Sequence, residues 1–483
     1  MAFKNPADDA GHPYRTIWRL SWPQVLMMFF HFWIGFVDVY VAGLLNREVQ
    51  ASLGLITSCL FFFLIIAMAV ANGAVAAVSQ SIGGGLYKRA SRYVGLSLML
   101  AVGLGLLLMG VCILGQDLLL DALRVPVEIR GITGDFLRIY ALVLPTYHLL
   151  VITNAIFRAR KEVRYPTISM FFITTVNAVA DFGLGLGLWG LPDMGHAGLA
   201  WATFWSVSAG ALLNVIVLWR KGLLRRSAFP PLRWVRRALP YLFKVAWPSG
   251  LMQVLWQTGY LVLFAITAAL PFQSITALAG MTAGLRIESL LFLPGFAFNM
   301  TASVLVGNLL GAGQPEEAKR FGYRIWLMGV VSVGLLTLGV WQVVDRIAEL
   351  LSTDPAVQAE IMSYLFWNML AIPFTLTSMI IGGALNGAGA TLYNLIVFGI
   401  TVWLVRLPLA YVLGHHVFGE ARGIWMSMLV SQFVQASALM YVYSFKDWSR
   451  FTMVKRGAVR DPAGLAEEPK PSLLNVGSGS LRK

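Results

Sequence analysis

The sequence predicts an all-α membrane protein: twelve transmembrane helices in two six-helix lobes, related by a pseudo-twofold axis along the membrane normal. Three observations carry this. Hydrophobic residues make up 58% of the 483 and charged residues only 12%, against about a quarter charged in soluble proteins. Apolar runs of about 20 residues, the length that crosses a bilayer, recur from one end of the chain to the other, continuous rather than alternating as barrel strands are. The second half repeats the first at an offset of 228 positions, as from Gly83 to Gly311.

Residues 1–17 are polar and lack a short apolar core with a small-residue cleavage site, so the first span is expected to be the anchor rather than a cleaved signal. Span 1, 18–42, opens with "SWP" at Ser21–Pro23 and holds Asp38. Span 2, 54–80, runs into the glycines of "SIGGG", which end a helix, and then into Lys88, Arg89 and Arg92. Span 3 covers 93–115. Span 4, 133–157, contains Pro145 and is followed by Arg158, Arg160, Lys161 and Arg164. Span 5, 164–189, holds Asn177 and Asp181, and span 6, 197–219, opens with "HAGLAWA".

The second lobe repeats these marks. Span 7, 240–268, carries "AWP" at Ala246–Pro248, and span 8, 276–309, ends in "LLGAG" as span 2 ends in "SIGGG". Span 9 is 322–344. Span 10, 360–385, has Pro373 where span 4 has Pro145; span 11 is 393–416, and span 12, 422–444, opens on "ARGIWMS", an echo of span 6. The aligned pairs include Val78/Val306, Gly83/Gly311, Gly85/Gly313, Ala90/Ala318 and Arg92/Arg320. An even number of spans per half makes this a parallel repeat. The lobes are 18–219 and 240–444, joined by a basic connector, 220–239, containing Pro230 and Pro231. The tail, 445–483, is rich in Gly, Ser, Pro and charge beyond Arg450 and is expected to be disordered.

Basic residues set the orientation. Arg220, Lys221, Arg225, Arg226, Arg233, Arg236, Arg237 and Lys244 crowd the connector, and the turns after spans 2 and 4 are basic too, whereas the alternate loops offer little beyond Arg47, Arg124, Arg130, Arg138, Arg346 and Arg422. The positive-inside bias places both termini in the cytoplasm. The net charge of +14 is thereby a topology signal, and no nucleic-acid partner is expected. Cys59 and Cys112, both in apolar runs, read as small packing residues.

An ionised carboxylate at mid-bilayer costs about 2.5–3.5 kcal/mol on insertion scales, so each one needs a partner or a function. Asp38 lies deep in span 1 and Asp181 in span 5, four positions after Asn177, so that amide and carboxylate share one helix face. His31, seven before Asp38, reads as packing. Arg286 and Glu288 in span 8 read as structural, each finding a neighbour, and Arg406 in span 11 as an interhelical hydrogen-bond anchor. Should Asp38 and Asp181 meet in one apolar pocket, a proton can be held between them near neutral pH.

In combination, "WP" in span 1, Asp38, "SQSIGGG", "RARKEVRYP", "NAVAD", "GHAGLAWAT", "RIESLLFLPGFAFNMTASVLVGNLLGAG" and "NGAGAT" make the chain resemble the multidrug and toxic compound extrusion (MATE) family from about Trp18 to Tyr443, most of all its DinF-like branch. The resemblance implies a V-shaped pair of helix bundles that exports cationic or amphipathic compounds in exchange for inward H⁺ or Na⁺. It also implies a first-lobe cation site, at positions matched here by Asp38, Asn177, Asp181 and Thr203, which would be the Na⁺ ligands if sodium is the coupling ion. NorM-like relatives carry acids in spans 7 and 10; here span 7 has Gln253 and Gln257, and "LAIPFTLTSMIIGGALNGAGA" in span 10 has none, so coupling is expected from one lobe. Met27, Phe30, Tyr40, Tyr147, Met252, Gln253 and Trp256 are candidates to line a substrate cleft, where soft, polarizable side chains suit varied organic cations. The expected partners are such cations and the bilayer, with the chain working as a monomer and no cofactor beyond the coupling ion.

Rival readings fit less well. A flippase for a lipid-linked glycan precursor, the main alternative, needs a cationic cavity, and basic residues within the spans are scarce beyond Arg286 and Arg406. An intramembrane aspartyl protease needs tyrosine-aspartate and glycine-x-glycine-aspartate motifs, but Val37 precedes Asp38 and Ala180 precedes Asp181. A passive channel would need pore-lining rings. No enzymatic activity is expected.

Overall fold

Backbone amides have no water to bond with inside a bilayer, so an apolar chain of this kind satisfies them internally, in helices. The computed structural model describes residues 12–224 and 228–453, and among these are twelve helices long and apolar enough to cross a membrane. They are α1 (Pro13–Leu45), α2 (Arg47–Gly83), α3 (Tyr87–Leu114), α4 (Val127–Ala159), α5 (Arg164–Leu186), α6 (His196–Arg220), α7 (Leu232–Ala268), α8 (Ser274–Gly311), α9 (Pro315–Trp341), α10 (Pro355–Ala388), α11 (Thr391–Val417) and α12 (Ala421–Phe445). Every expected span is present. Most extend several residues past the apolar run, because a helix continues into the interface until a breaker stops it.

The breakers are legible. Gly85 and Gly313, paired by the repeat, both sit at φ +73°, the left-handed conformation that ends α2 and α8 at little cost for glycine. Pro231 caps α7, which therefore starts within the expected connector; its first turns expose Arg233, Arg236 and Arg237 and lay Trp234 beneath the Arg92 guanidinium. Within α11, residues Ile400–Arg406 and Val412–Val417 wind as π-helix. The expected disorder of the tail concerns mainly 454–483, outside the described residues, as are 1–11 and Arg225 and Arg226. The part that is described is ordered: Trp448–Phe451 form a short turn, with the Trp448 ring stacked on Tyr443 at 4.8 Å.

Packing follows the repeat. In the first lobe α2 packs on α4, α5 on α6, α4 on α6 and α1 on α5; in the second, α8 packs on α10, α11 on α12, α10 on α12 and α7 on α11. Each lobe has its own buried core, Ile56, Phe136 and Leu144 in the first and Phe298, Leu376 and Trp425 in the second. Large apolar side chains such as Phe36, Leu107, Leu261 and Leu404 face outward, as a lipid solvent allows. The lobes meet along α2 and α8, with α1 on α8 mirrored by α2 on α7.

Two corrections follow. His31, expected to fill a packing gap, is exposed, because the buried stripe of α1 runs through Leu20, Gln24, Met27, Val37 and Val41 and passes beside it. Arg286 is exposed beside Ile275, Leu278 and Thr282, facing away from the group that Glu288 joins.

Candidate cation site

The site is built on the contact between α1 and α5. Thr167 donates to the Pro23 carbonyl at 2.8 Å, and one heptad on Thr174 donates to the Phe30 carbonyl at 3.1 Å. A seven-residue step on both helices keeps the same faces together, so this ladder carries Asn177 and Asp181 up to Asp38. With its amide nitrogen turned toward the acids, Asn177 donates to Asp38 Oδ1 at 3.2 Å and to Asp181 Oδ2 at 3.3 Å. The two carboxyls are themselves within hydrogen-bonding reach of one another, an arrangement that two ionised groups tolerate only with a proton or cation between them.

Burial separates the two acids. Asp181 is 0% exposed and Asn177 1%, whereas Asp38 is only half-buried. Asp181 Oδ1 is closed off from solvent without a hydrogen-bond donor among the described residues, so the pocket keeps one carboxyl oxygen free. Thr203, on α6, is buried nearby; its hydroxyl donates to the Leu199 carbonyl at 3.2 Å and lies 3.4 Å from the Tyr140 hydroxyl of α4. Tyr140 in turn is within electrostatic range of both aspartates, and Tyr147 of Asp38. Four helices of the first lobe thus present two carboxyls, one amide and two hydroxyls. An all-oxygen set of that kind suits a proton or a hard monovalent cation, with the Asn177 amide rotated to present oxygen for the latter.

Tyr140 escaped the sequence reading. Its only signal was position, seven residues before Tyr147 and so on the same face of span 4.

The cleft candidates divide. Met27 is packed into the first-lobe core, where it fills space rather than lining a cavity. Phe30 rests against Phe171, while Tyr40 is exposed with its ring against Phe182. Met252 and Gln253 are half-buried on α7, the Gln253 amide 3.9 Å from the Met68 sulfur across the lobe seam. Trp256 stacks on Phe398 and, with Tyr260, Val402 and Arg406, closes a narrow pocket inside the second lobe.

That lobe holds a different polar group. Tyr364 donates to Glu288 Oε2 at 2.6 Å, Arg406 lies within electrostatic range of Glu288, and Arg406 Nε donates to Ser431 at 2.8 Å. Here the acid takes a tyrosine hydroxyl and the base a serine, unlike the two acids of the first lobe, which face each other.

Comparison with known proteins agrees with this two-lobed fold. The MatE family model matches residues 23–182 and 248–412, one copy in each lobe and more than half of the chain. The chain belongs to the MatE family. A probable multidrug resistance protein NorM of Thermotoga maritima is 25% identical over 476 residues, covering 95% of this chain and 98% of its own length. The multidrug resistance protein PmpM of Pseudomonas aeruginosa is 26% identical, covering 82% and 84%. Among solved structures, the outward-facing conformation of a multidrug resistance MATE family transporter of the MOP superfamily superposes with a TM-score of 0.84 at 19% identity, covering 94% of this chain and 100% of that one. This MatE protein is accordingly a multi-pass membrane protein of a transporter family, not of an enzyme family, with that family's two-lobed fold.

Proposed function

We propose that this protein exports cationic or amphipathic organic compounds in exchange for H⁺, or Na⁺, entering along its gradient. The supporting observation is the meeting of Asp38 and Asp181 across Asn177 in a pocket that leaves a buried carboxylate oxygen without a donor. Multidrug resistance relatives supply the substrate class. One charge crossing 100 mV is worth about 2.3 kcal/mol, so a single site occupied from outside and emptied inside can drive uphill export.

The cycle runs by rocking of the lobes. Open outward, the first lobe takes up the cation at Asp38, Asn177, Asp181 and Thr203 and substrate leaves; open inward, the cation is released and substrate binds. Protons are the favoured ion, since the carboxyls already lie close enough to share one. The connector and the basic turns face the cytoplasm of a bacterial inner membrane, and the chain works as a monomer.

Ethidium efflux from cells expressing this chain tests the reading. Efflux well above that of the empty vector, lost in Asp38→Asn and Asp181→Asn at equal membrane expression, is the expected outcome. Equal efflux from cells with and without the chain rejects it.

A further inference from the structure

The structure carries a second consequence of the repeat, at the end of the bundle where α2 and α8 meet. Gln80 Nε2 donates to the Gly387 carbonyl at 2.8 Å, from the first lobe to the second. Asn308 Nδ2 reaches the Ala159 carbonyl at 3.5 Å, from the second lobe to the first. Gln80 and Asn308 are 228 positions apart, and so are Ala159 and Gly387, so the two bonds are images of one another.

Both acceptors lie in the last turn of a helix, α4 or α10, where carbonyls have no intrahelical donor. Around them the backbones interlock: a Cβ on Gly83 would overlap the Asn308 carbonyl, and one on Gly311 would overlap that of Gln80. Contact that close cannot loosen by degrees. It is either seated or parted.

We infer that the Gln80–Gly387 and Asn308–Ala159 bonds form a clasp that sets how often the transporter opens at this end, and that Thr452 and Met453 lock its Gln80 half. Gln80 Oε1 accepts from the Thr452 hydroxyl at 3.0 Å and from the Met453 amide at 2.9 Å. The segment that supplies these donors is fixed to the second lobe, by Trp448 on Tyr443, by Arg450 to the Tyr393 hydroxyl at 3.1 Å, and by the Lys244 ammonium over Phe451. It therefore ties the first lobe's Gln80 to the second lobe. The clasp is made of neutral amides, which exchange a carbonyl for water at small net cost, as befits bonds broken in every cycle. Gln80 and Asn308 are positioning residues: they act on the equilibrium between closed and open, and the inference rests on the alternating-access reading above.

Pulsed electron paramagnetic resonance on the full-length chain in liposomes tests it. Cys59 and Cys112 are replaced by serine, and spin labels are placed at Lys88→Cys and Glu316→Cys, exposed positions that the repeat also pairs. The expected result is one dominant short distance, with the longer-distance fraction rising at least threefold in Gln80→Ala and in Asn308→Ala. Thr452→Val with Met453→Pro removes both outer donors from a half-buried segment, should raise that fraction alone, and should add nothing to Gln80→Ala. Unchanged distances in Gln80→Ala and Asn308→Ala overturn the clasp. Unchanged distances in the Thr452/Met453 variant, or full additivity with Gln80→Ala, overturn the lock, and this variant decides by itself if the buried ones do not reach the membrane. Because the readout needs no substrate, a clasp that behaves as expected in a protein without ethidium efflux would refute only the proposed function.

Discussion

Asn177 of α5 spans the space between Asp38 of α1 and Asp181 one turn along its own helix; turned toward them, its amide nitrogen lies 3.2 Å and 3.3 Å from their oxygens. One neutral side chain thus holds two acids in register. Replacing it with leucine keeps the volume and removes both bonds. A hydrogen bond to a charged group contributes about 1.5–3 kcal/mol, and each 1.4 kcal/mol is tenfold in binding. Asn177→Leu should therefore shift the cation concentration for half-maximal ethidium efflux by at least roughly tenfold, measured in everted vesicles.

The hydroxyls of Tyr140 and Thr203 lie 3.4 Å apart, with Tyr140 in electrostatic range of both acids. A neutral hydrogen bond contributes about 0.5–1.5 kcal/mol net, so Tyr140→Phe and Thr203→Val should each weaken coupling by roughly 2- to 10-fold. The pair shares one contact, and the double variant should therefore fall short of the product of the singles. The same vesicle titration reads this.

In the second lobe, Glu288 and Arg406 are 5% and 3% exposed and lie within electrostatic range of each other. Removing one partner of a buried pair costs about 3–5 kcal/mol, because the other charge is left alone. Arg406→Met should lower the melting temperature of the purified protein in detergent, and adding Glu288→Gln should restore most of it. A double variant worse than Arg406→Met would argue against compensation.

Gly198 and Gly423, at corresponding places in the two lobes, sit where α6 and α12 cross the ends of α5 and α11; a Cβ on either would overlap backbone, of Leu184 or of Leu413. Overpacking of this kind costs about 1–3 kcal/mol. Gly198→Ala and Gly423→Ala should each lower the melting temperature by several degrees, with export changed less than stability.

Much of this was legible in the sequence for a physical reason. A carboxylate in an apolar run is expensive and therefore conspicuous, so Asp38 and Asp181 stood out, and the four-residue step marked Asn177. The duplication was legible because glycines and prolines recur where backbone geometry demands them, at Gly83/Gly311 and Pro145/Pro373. What stayed hidden were partners chosen by the fold. Glu288 was expected to find a neighbour, but which one the sequence did not say: Tyr364 and Arg406 arrive from other helices. Tyr140 was hidden because an aromatic ring in a span has an ordinary role in packing. The interlobe amides, Gln80 and Asn308, aligned in the repeat without revealing that each crosses to the other lobe.

The most direct test of the account is transport by the purified protein in proteoliposomes under an imposed ion gradient alone. Wild-type protein should move ethidium uphill when a proton gradient is applied, or a sodium gradient in its place, and Asp181→Asn should lose at least roughly 90% of that gradient-driven flux while still binding ethidium, since removing the buried charge removes more than about 1.4 kcal/mol of cation affinity. Undiminished gradient-driven transport by Asp181→Asn would contradict the claim that the paired acids of the first lobe are where the cation couples.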